Sequence, residues 1–238
     1  MNILIFGATS GIGRALAKIY AEKGHRLAIT GRRLEKLEEI KKEKPENYFP
    51  VRHDIRDINS IADIIKESHQ KLGQIDLIIV NAGIGKFNLD LEWDICESVI
   101  KTNIIGVSKA LTESYNYFRK QKKGHLVGIT SVASLLGGAA NPTYNASKAY
   151  QANFLEALWI KTHQSKKNKI YITDIRPGFV DTKLAQGQTF WKANVNKAAE
   201  QIEKAIHKKK KIAYITKRWR LVAWLLKKMP DFLLKKLV

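Results

Sequence analysis

The sequence predicts an α/β fold, a doubly wound parallel sheet in a single domain with a helical C-terminal extension. Three observations carry that expectation. Short apolar runs alternate with longer amphipathic ones along the chain. The short runs are apolar throughout rather than at every second residue, as strands covered on both faces are. The first of them enters a helix through a glycine-rich turn. At 238 residues the chain is long enough for one large core, and no internal repeat or low-complexity linker divides it.

In order, NILIF (2–6) reads as a strand, 12–23 as a helix, RLAIT (26–30) as a strand and 34–42 as a helix. KKEKPEN (41–47) is a solvated turn. YFPVRHD (48–54) is the third strand, 59–71 a helix and IDLIIV (75–80) a strand. A long helix is expected over 94–120, then strand HLVGIT (125–130), a helix over 142–163 and strand KIYITDI (169–175). QGQTFWKANVN (186–196) reads as irregular structure, followed by a helix over 196–207 and strand KIAYI (211–215). The expected division is a domain over 1–216, with a substrate lid at about 183–200, and a basic amphipathic tail over 217–238.

The turn LIFGATSGIGRALA passes from strand to helix through Gly7, Gly11 and Gly13. Phosphates need close backbone approach and unpaired N–H groups at a helix N-terminus, which such a turn supplies. Glycines also end strands and pack helices without binding anything. At the end of the second strand, where an acid would meet the ribose hydroxyls of NAD, the chain has Arg32 and Arg33 and no acid before Glu35. Guanidinium groups suit a 2′-phosphate, so NADP(H) is favoured over NAD(H). Ser10 or Arg14 are further candidates for that contact, and a solvated helix start is the plainer reading of both arginines.

With GATSGIG around residue 10, HD at 53–54, NAG at 81–83, Asn103, Ser131, YNASK at 144–148 and RPGFVDT at 176–182, the chain resembles the short-chain dehydrogenase/reductase family over roughly residues 1–184. That resemblance implies a Rossmann-type fold and a nicotinamide cofactor. By it, Gly7, Gly11, Ile12 and Gly13 line the diphosphate. Asp54 and Ile55 lie near adenine, and Asn81, Ala82 and Gly83 support the adenosine ribose region. Pro177, Gly178, Val180 and Thr182 border the nicotinamide. The chain departs from the pattern at Phe6, where the family often has Thr, and at Val80, in place of the first Asn of a frequent NNAG.

The candidate catalytic residues are Asn103, Ser131, Tyr144 and Lys148, and the last two also face the cofactor. Asn141 can cap a helix and Pro142 suits its first turn, so Tyr144 and Lys148, four residues apart, would project from one face. Reducing a carbonyl requires a proton for the developing alkoxide, and a phenol with a pKa of about 10 is a weak donor at neutral pH. A nearby ammonium is expected to lower that pKa. Ser131, just after a strand, could bond the substrate oxygen or simply serve the turn. Asn103 has an apolar context that calls for a polar partner, and in the family this position holds a water that links to the lysine.

The implied reaction is interconversion of a carbonyl and a secondary alcohol by hydride transfer, on an apolar or lipid-like small molecule. A ketoacyl reductase served by an acidic carrier and a non-catalytic NADP(H)-binding redox sensor are the competing readings. Six scattered histidines offer no metal cluster, and no metal is expected. Cys96, the single cysteine, sits at helical apolar spacing and reads as core.

Net charge is +20, and residues 201–238 hold twelve Lys/Arg against Glu203 and Asp231, half of the excess. Trp219, Trp224, Leu225, Leu226, Met229, Phe232, Leu233 and Leu237 among those basic residues suit an interfacial helix on an anionic membrane, broken at Pro230. A helical pair packed on the domain or across a dimer is the alternative. Phe190 and Trp191 are candidates for closing over a substrate. Nucleic acid is disfavoured as a partner, because the aromatics lie in leucine-rich context. The resemblance implies a homodimer or homotetramer paired through 94–120 and 142–163. No apolar run spans a membrane, and the N-terminus lacks a secretory signal. A cytoplasmic location is expected, with peripheral attachment at the inner face of a membrane through the tail.

Overall fold

The computed structural model describes residues 1–164, 168–182, 192–228 and 230. Phe190, Trp191 and the 183–191 part of the lid expected at about 183–200 lie outside them, as do Met229, Phe232, Leu233 and Leu237 and the side chain of Leu226.

Among the described residues seven strands form one sheet in the order β3-β2-β1-β4-β5-β6-β7, and every neighbouring pair runs parallel. They are β1 (Asn2–Phe6), β2 (Arg26–Gly31), β3 (Tyr48–Arg52), β4 (Leu77–Val80), β5 (Lys123–Ile129), β6 (Lys169–Pro177) and β7 (Ile212–Ile215). The helices are α1 (Gly11–Glu22), α2 (Leu34–Glu43), α3 (Ile61–Leu72), α4 (Trp93–Val99), α5 (Val107–Gln121), α6 (Pro142–His163), α7 (Val195–His207) and α8 (Trp219–Lys228).

The all-apolar strands follow from two cores, one on each face of the sheet. Ile3 and Ile5 of β1 join Leu16, Leu37 and Ile202 on one face. Leu4 and Phe6, on the alternate positions, join Ile65, Leu111 and Leu155 on the other. A residue pointing either way from a central strand is therefore desolvated. Pro50 is accommodated because β3 is an edge strand.

The chain winds from β1 outward to β3, then crosses back to place β4 against the other side of β1. This reversal opens a crevice beyond the carboxyl ends of β1 and β4, the place where such sheets receive ligands. Gly7, Asn81, Ser131 and Gly178 follow β1, β4, β5 and β6 respectively, so all four lie at that end of the sheet.

Three elements differ from expectation. The helix expected over 94–120 is interrupted by a π-helical turn, Ile100–Gly106, between α4 and α5. Gly106 sits there against the Ile55 carbonyl, which a Cβ would approach to 2.4 Å. The third strand stops at Arg52, so His53 and Asp54 belong to the loop after it. Asn141 stands at the N-cap of α6, but its side chain makes no capping bond. Neighbouring Asn145 instead donates through Nδ2 to the Leu136 carbonyl at 2.9 Å, tying the first turn to the preceding loop.

Candidate active site

The turn between β1 and α1 can be built only from glycine at two of its positions. Gly7 has φ +88°, and a Cβ on it would fall 2.8 Å from the Ala82 backbone. A Cβ on Gly13 would lie 2.1 Å from the Gly7 carbonyl oxygen and 2.5 Å from Asn81 Nδ2. The space that Gly13 leaves is used: Asn81 Nδ2 donates to the Gly7 carbonyl at 2.6 Å, locking the turn to the end of β4. Thr182 reaches the same turn, its methyl group 3.3 Å from where a Gly11 side chain would begin. The result is a bare-backbone cradle at the start of a twelve-residue helix with no acidic residue in its first turn. That arrangement fits a diphosphate.

Arg33 folds over this cradle. Its Nη2 donates to Thr9 Oγ1 at 2.7 Å and to Ser10 Oγ at 3.4 Å, while Arg32 beside it is exposed. Arg14 is engaged elsewhere, with Glu43 at 2.7 Å. Asp54 is held by Arg56 at 2.6 Å, and that hydrogen-bonded guanidinium keeps its carboxyl below the usual range. Ile55 is buried, with the π-helical turn packed on its carbonyl.

At the other end of the crevice, Ser131 is the extended residue after β5. Its Oγ accepts from Ala133 N at 3.0 Å and donates to the Pro177 carbonyl at 3.4 Å, joining the ends of β5 and β6. Tyr144 and Lys148 stand one turn apart on α6. The Tyr144 ring packs on Gly85, where a Cβ would meet it at 3.0 Å. Lys148 is 4% exposed, and its Nζ lies 5.8 Å from the centre of the Tyr144 ring. Val180 is buried and pairs with Ala193 across a parallel bridge.

Electrostatics correct one expectation. Burial pushes the Tyr144 phenol up from its ordinary value, and a hydrogen bond with the Ser131 hydroxyl opposes that rise. The expected lowering by the ammonium is not the outcome, because burial of the phenol dominates; Lys148 itself donates to the Ile129 carbonyl at 3.1 Å and to Gln151 Oε1 at 3.0 Å. Burial in turn pushes Lys148 down to about 8, with the Asp174 carboxylate working the other way. Asp174 is itself raised by burial, against the pull of Arg176 and of Thr130. Its Oδ2 accepts from Arg176 Nε at 2.6 Å.

Asn103 is fully buried in the π-helical turn. Its Oδ1 accepts from Ile84 N at 2.9 Å, and its Nδ2 donates to the Ile84 carbonyl at 2.8 Å and to Ser147 Oγ at 3.0 Å. The side chain thus clamps the loop after β4 to α6. Its main-chain carbonyl accepts from Gln151 Nε2 at 2.7 Å. Cys96 is buried, as expected, and Thr143 and Asn88 donate to its sulfur.

Gln151 and Asp174 escaped the sequence reading, Arg176 entered it only as the start of RPGFVDT, and Trp219, expected on a membrane-facing tail, is buried instead. Gln151 and Asp174 carried a usable signal, a polar residue at i+3 from Lys148 and an acid in the interior of strand KIYITDI. Trp219 carried none, since it is one aromatic among several in a basic segment.

Known proteins resemble this chain in sequence and in fold. The family model described as short chain dehydrogenase matches residues 1–209. An uncharacterized oxidoreductase of Myxococcus xanthus is 32% identical over 192 residues, which cover 79% of this chain and 75% of that one. The 3-oxoacyl-[acyl-carrier-protein] reductase of Bos taurus is 28% identical over 184 residues, 76% of each chain. Among solved structures, ElxO with NADP bound superposes with a TM-score of 0.80 over 90% of this chain and 96% of its own, at 22% identity, a likeness of fold. The glycine cradle, the reversal point of the sheet and the Ser131, Tyr144 and Lys148 cluster thus occur in a chain matched by the family's model over most of its length, and this protein belongs to the short-chain dehydrogenases, NAD(P)-dependent oxidoreductases.

Proposed function

We propose that this enzyme interconverts a carbonyl and a secondary alcohol with NADP(H), using Tyr144 as the acid and base, on an apolar substrate. The observation that carries the reading is the convergence of Ser131, Tyr144 and buried Lys148 at one end of a crevice whose other end is the glycine cradle. A bound nicotinamide supplies or accepts the hydride.

The chain's own residues account for the rest. Gly7, Gly11, Ile12 and Gly13 hold the diphosphate, with Ser10 toward the 2′-phosphate, Asn81, Ala82 and Gly83 along the adenosine ribose and Asp54 and Ile55 at the adenine. Pro177, Gly178, Val180 and Thr182 border the nicotinamide. Ser131 bonds the substrate oxygen, and Tyr144 Oη delivers its proton there as negative charge develops. A phenol raised by burial stays protonated at neutral pH, which suits the reducing direction. Lys148 contributes positive charge beneath the phenol, and Asn103 fixes the floor on which it rests.

Arg33, already over Thr9 and Ser10, supports recognition of a 2′-phosphate, with Arg32 exposed beside it. An apolar substrate is supported by the segment after Gly85, which carries exposed Phe87, Leu89, Leu91 and Trp93 and is joined to the loop before α6 by Asn88 N to the Ala140 carbonyl at 2.7 Å. Among the described residues no helix is long and apolar enough to cross a membrane. On α8, exposed Leu221 and Leu225 beside Arg220 support peripheral contact with an anionic bilayer. Pairing of copies through α5 and α6 belongs to the same reading.

The test is turnover of NADPH with a panel of long-chain and short-chain ketones, alongside partition of wild type and a Leu221→Ser/Leu225→Ser variant onto anionic vesicles. Oxidation of NADPH by apolar ketones supports the reading; inertness toward the whole panel refutes the free-ketone form of it. The likeness to a reductase acting on carrier-borne oxoacyl groups, together with the +20 charge, favours a second reading in which an acidic carrier presents the substrate. Turnover restricted to carrier-bound substrate, and suppressed by salt, would select it.

A further inference from the structure

Gln151 lies on α6 three residues after Lys148, on the same buried strip, and is 2% exposed. Burying a glutamine costs free energy unless both ends of its amide are satisfied. Here both are, by partners of opposite demand. The Lys148 ammonium can only donate, and it meets Oε1 at 3.0 Å. The Asn103 carbonyl can only accept, and it meets Nε2 at 2.7 Å. The amide's orientation is dictated from both sides.

We propose that Gln151 is the positioning residue for Lys148: its amide spans the Asn103 carbonyl and the Lys148 ammonium and aims the lysine from the π-helical turn. The proposal rests on Lys148 acting in the reaction described above. That carbonyl belongs to the π-helical turn, Ile100–Gly106, whose hydrogen bonding departs from the α-helical pattern. The Ile129 carbonyl takes a second ammonium proton at 3.1 Å, so two fixed acceptors orient the group and leave its third proton for the crevice side. Gly83 lines that side, with a Cβ position 3.5 Å from Lys148 Nζ and 3.4 Å from Asn103 Oδ1.

The chemistry differs from a link through water. A water between a carbonyl and an ammonium can rotate and pass a proton on; an amide held at both ends supports the charge and passes nothing. The lysine charge is accordingly sustained by an uncharged acceptor within a site that otherwise disfavours it. Asp174 adds to that charge from a distance, while Arg176 and Thr130 occupy its carboxylate.

The experiment is titration of the Lys148 ammonium by NMR, using isotope-labelled lysine Cε and assigning the signal by its loss in Lys148→Arg. It is read in wild type, Gln151→Leu and Gln151→Glu. In Gln151→Leu the Lys148 titration is expected to fall by about one unit, because the ammonium loses a hydrogen-bond acceptor in a buried site. In Gln151→Glu the titration is expected to rise, since a carboxylate replaces the amide oxygen. An unmoved titration in either folded variant overturns the proposal and leaves Gln151 a packing residue. Should Gln151→Leu fail to fold, the near-isosteric glutamate variant decides alone. The titration needs no substrate, so a protein that turned over no carbonyl would refute the functional reading and leave this test standing.

Discussion

The indole edge of Trp219 lies directly on Gly178: a Cβ at that glycine would fall 2.1 Å from Trp219 Nε1. Trp219 is buried, and its ring meets Phe179 edge-on at 5.4 Å. The first residue of α8 is therefore packed on the turn after β6, the stretch expected to border the nicotinamide. A truncation before Trp219 would uncover that turn along with removing the tail, so point variants on α8 are the cleaner probe of membrane contact.

Gly178→Ala is expected to destabilise the fold by about 1–3 kcal/mol, the usual cost of overpacking a tight contact. Combining it with Trp219→Leu should recover part of that loss, because the two residues share one space. Urea midpoints of the two single variants and the double variant measure the coupling.

Tyr144→Phe keeps the ring that packs on Gly85 and removes only the acidic proton. Cofactor affinity should hold, while turnover falls by about 10²–10⁴-fold, the scale of a lost general acid. In wild type, oxidation requires tyrosinate, and the raised phenol means that its rate should climb through the alkaline range. Reduction uses the protonated form and should be level at neutral pH. Steady-state rates against pH in both directions check the pair of signs.

Arg33→Ala should weaken NADPH binding by about 10–100-fold, the worth of one charge-assisted contact, and leave NADH nearly unchanged. Fluorescence titration with each cofactor distinguishes this from general damage to the turn, which would weaken both.

His125 is buried beside Thr173 Oγ1 at 2.8 Å, and burial pushes it from 6.5 down to about 4. Between those values the unfolded chain binds the extra proton and the folded one does not, so stability falls as pH drops from about 6.5 through 4 and levels below. The loss amounts to about 3 kcal/mol in full. His125→Gln should flatten this acid slope, read from urea midpoints across that range.

The order of strands and helices was legible because each central strand feeds two cores, which writes uninterrupted apolar runs into NILIF and LIIV. The glycine turn was legible for a similar reason: Gly7 and Gly13 stand where no side chain fits. The π-helical turn was not, because one widened loop leaves the helical periodicity of 94–120 nearly intact. The upward shift of Tyr144 was also hidden. It comes from burial of the phenol, and spacing along α6 alone does not fix how deeply that group is buried. Trp219 became meaningful only once the fold brought residue 178 beneath it.

The central claim is tested most directly by NADPH consumption with an apolar ketone, measured for wild type and Tyr144→Phe under identical conditions with cofactor binding verified for both. Turnover by wild type and its near-complete loss in the variant, with NADPH still bound, is the predicted result. Equal turnover by the two proteins would contradict the assignment of Tyr144 as the proton donor.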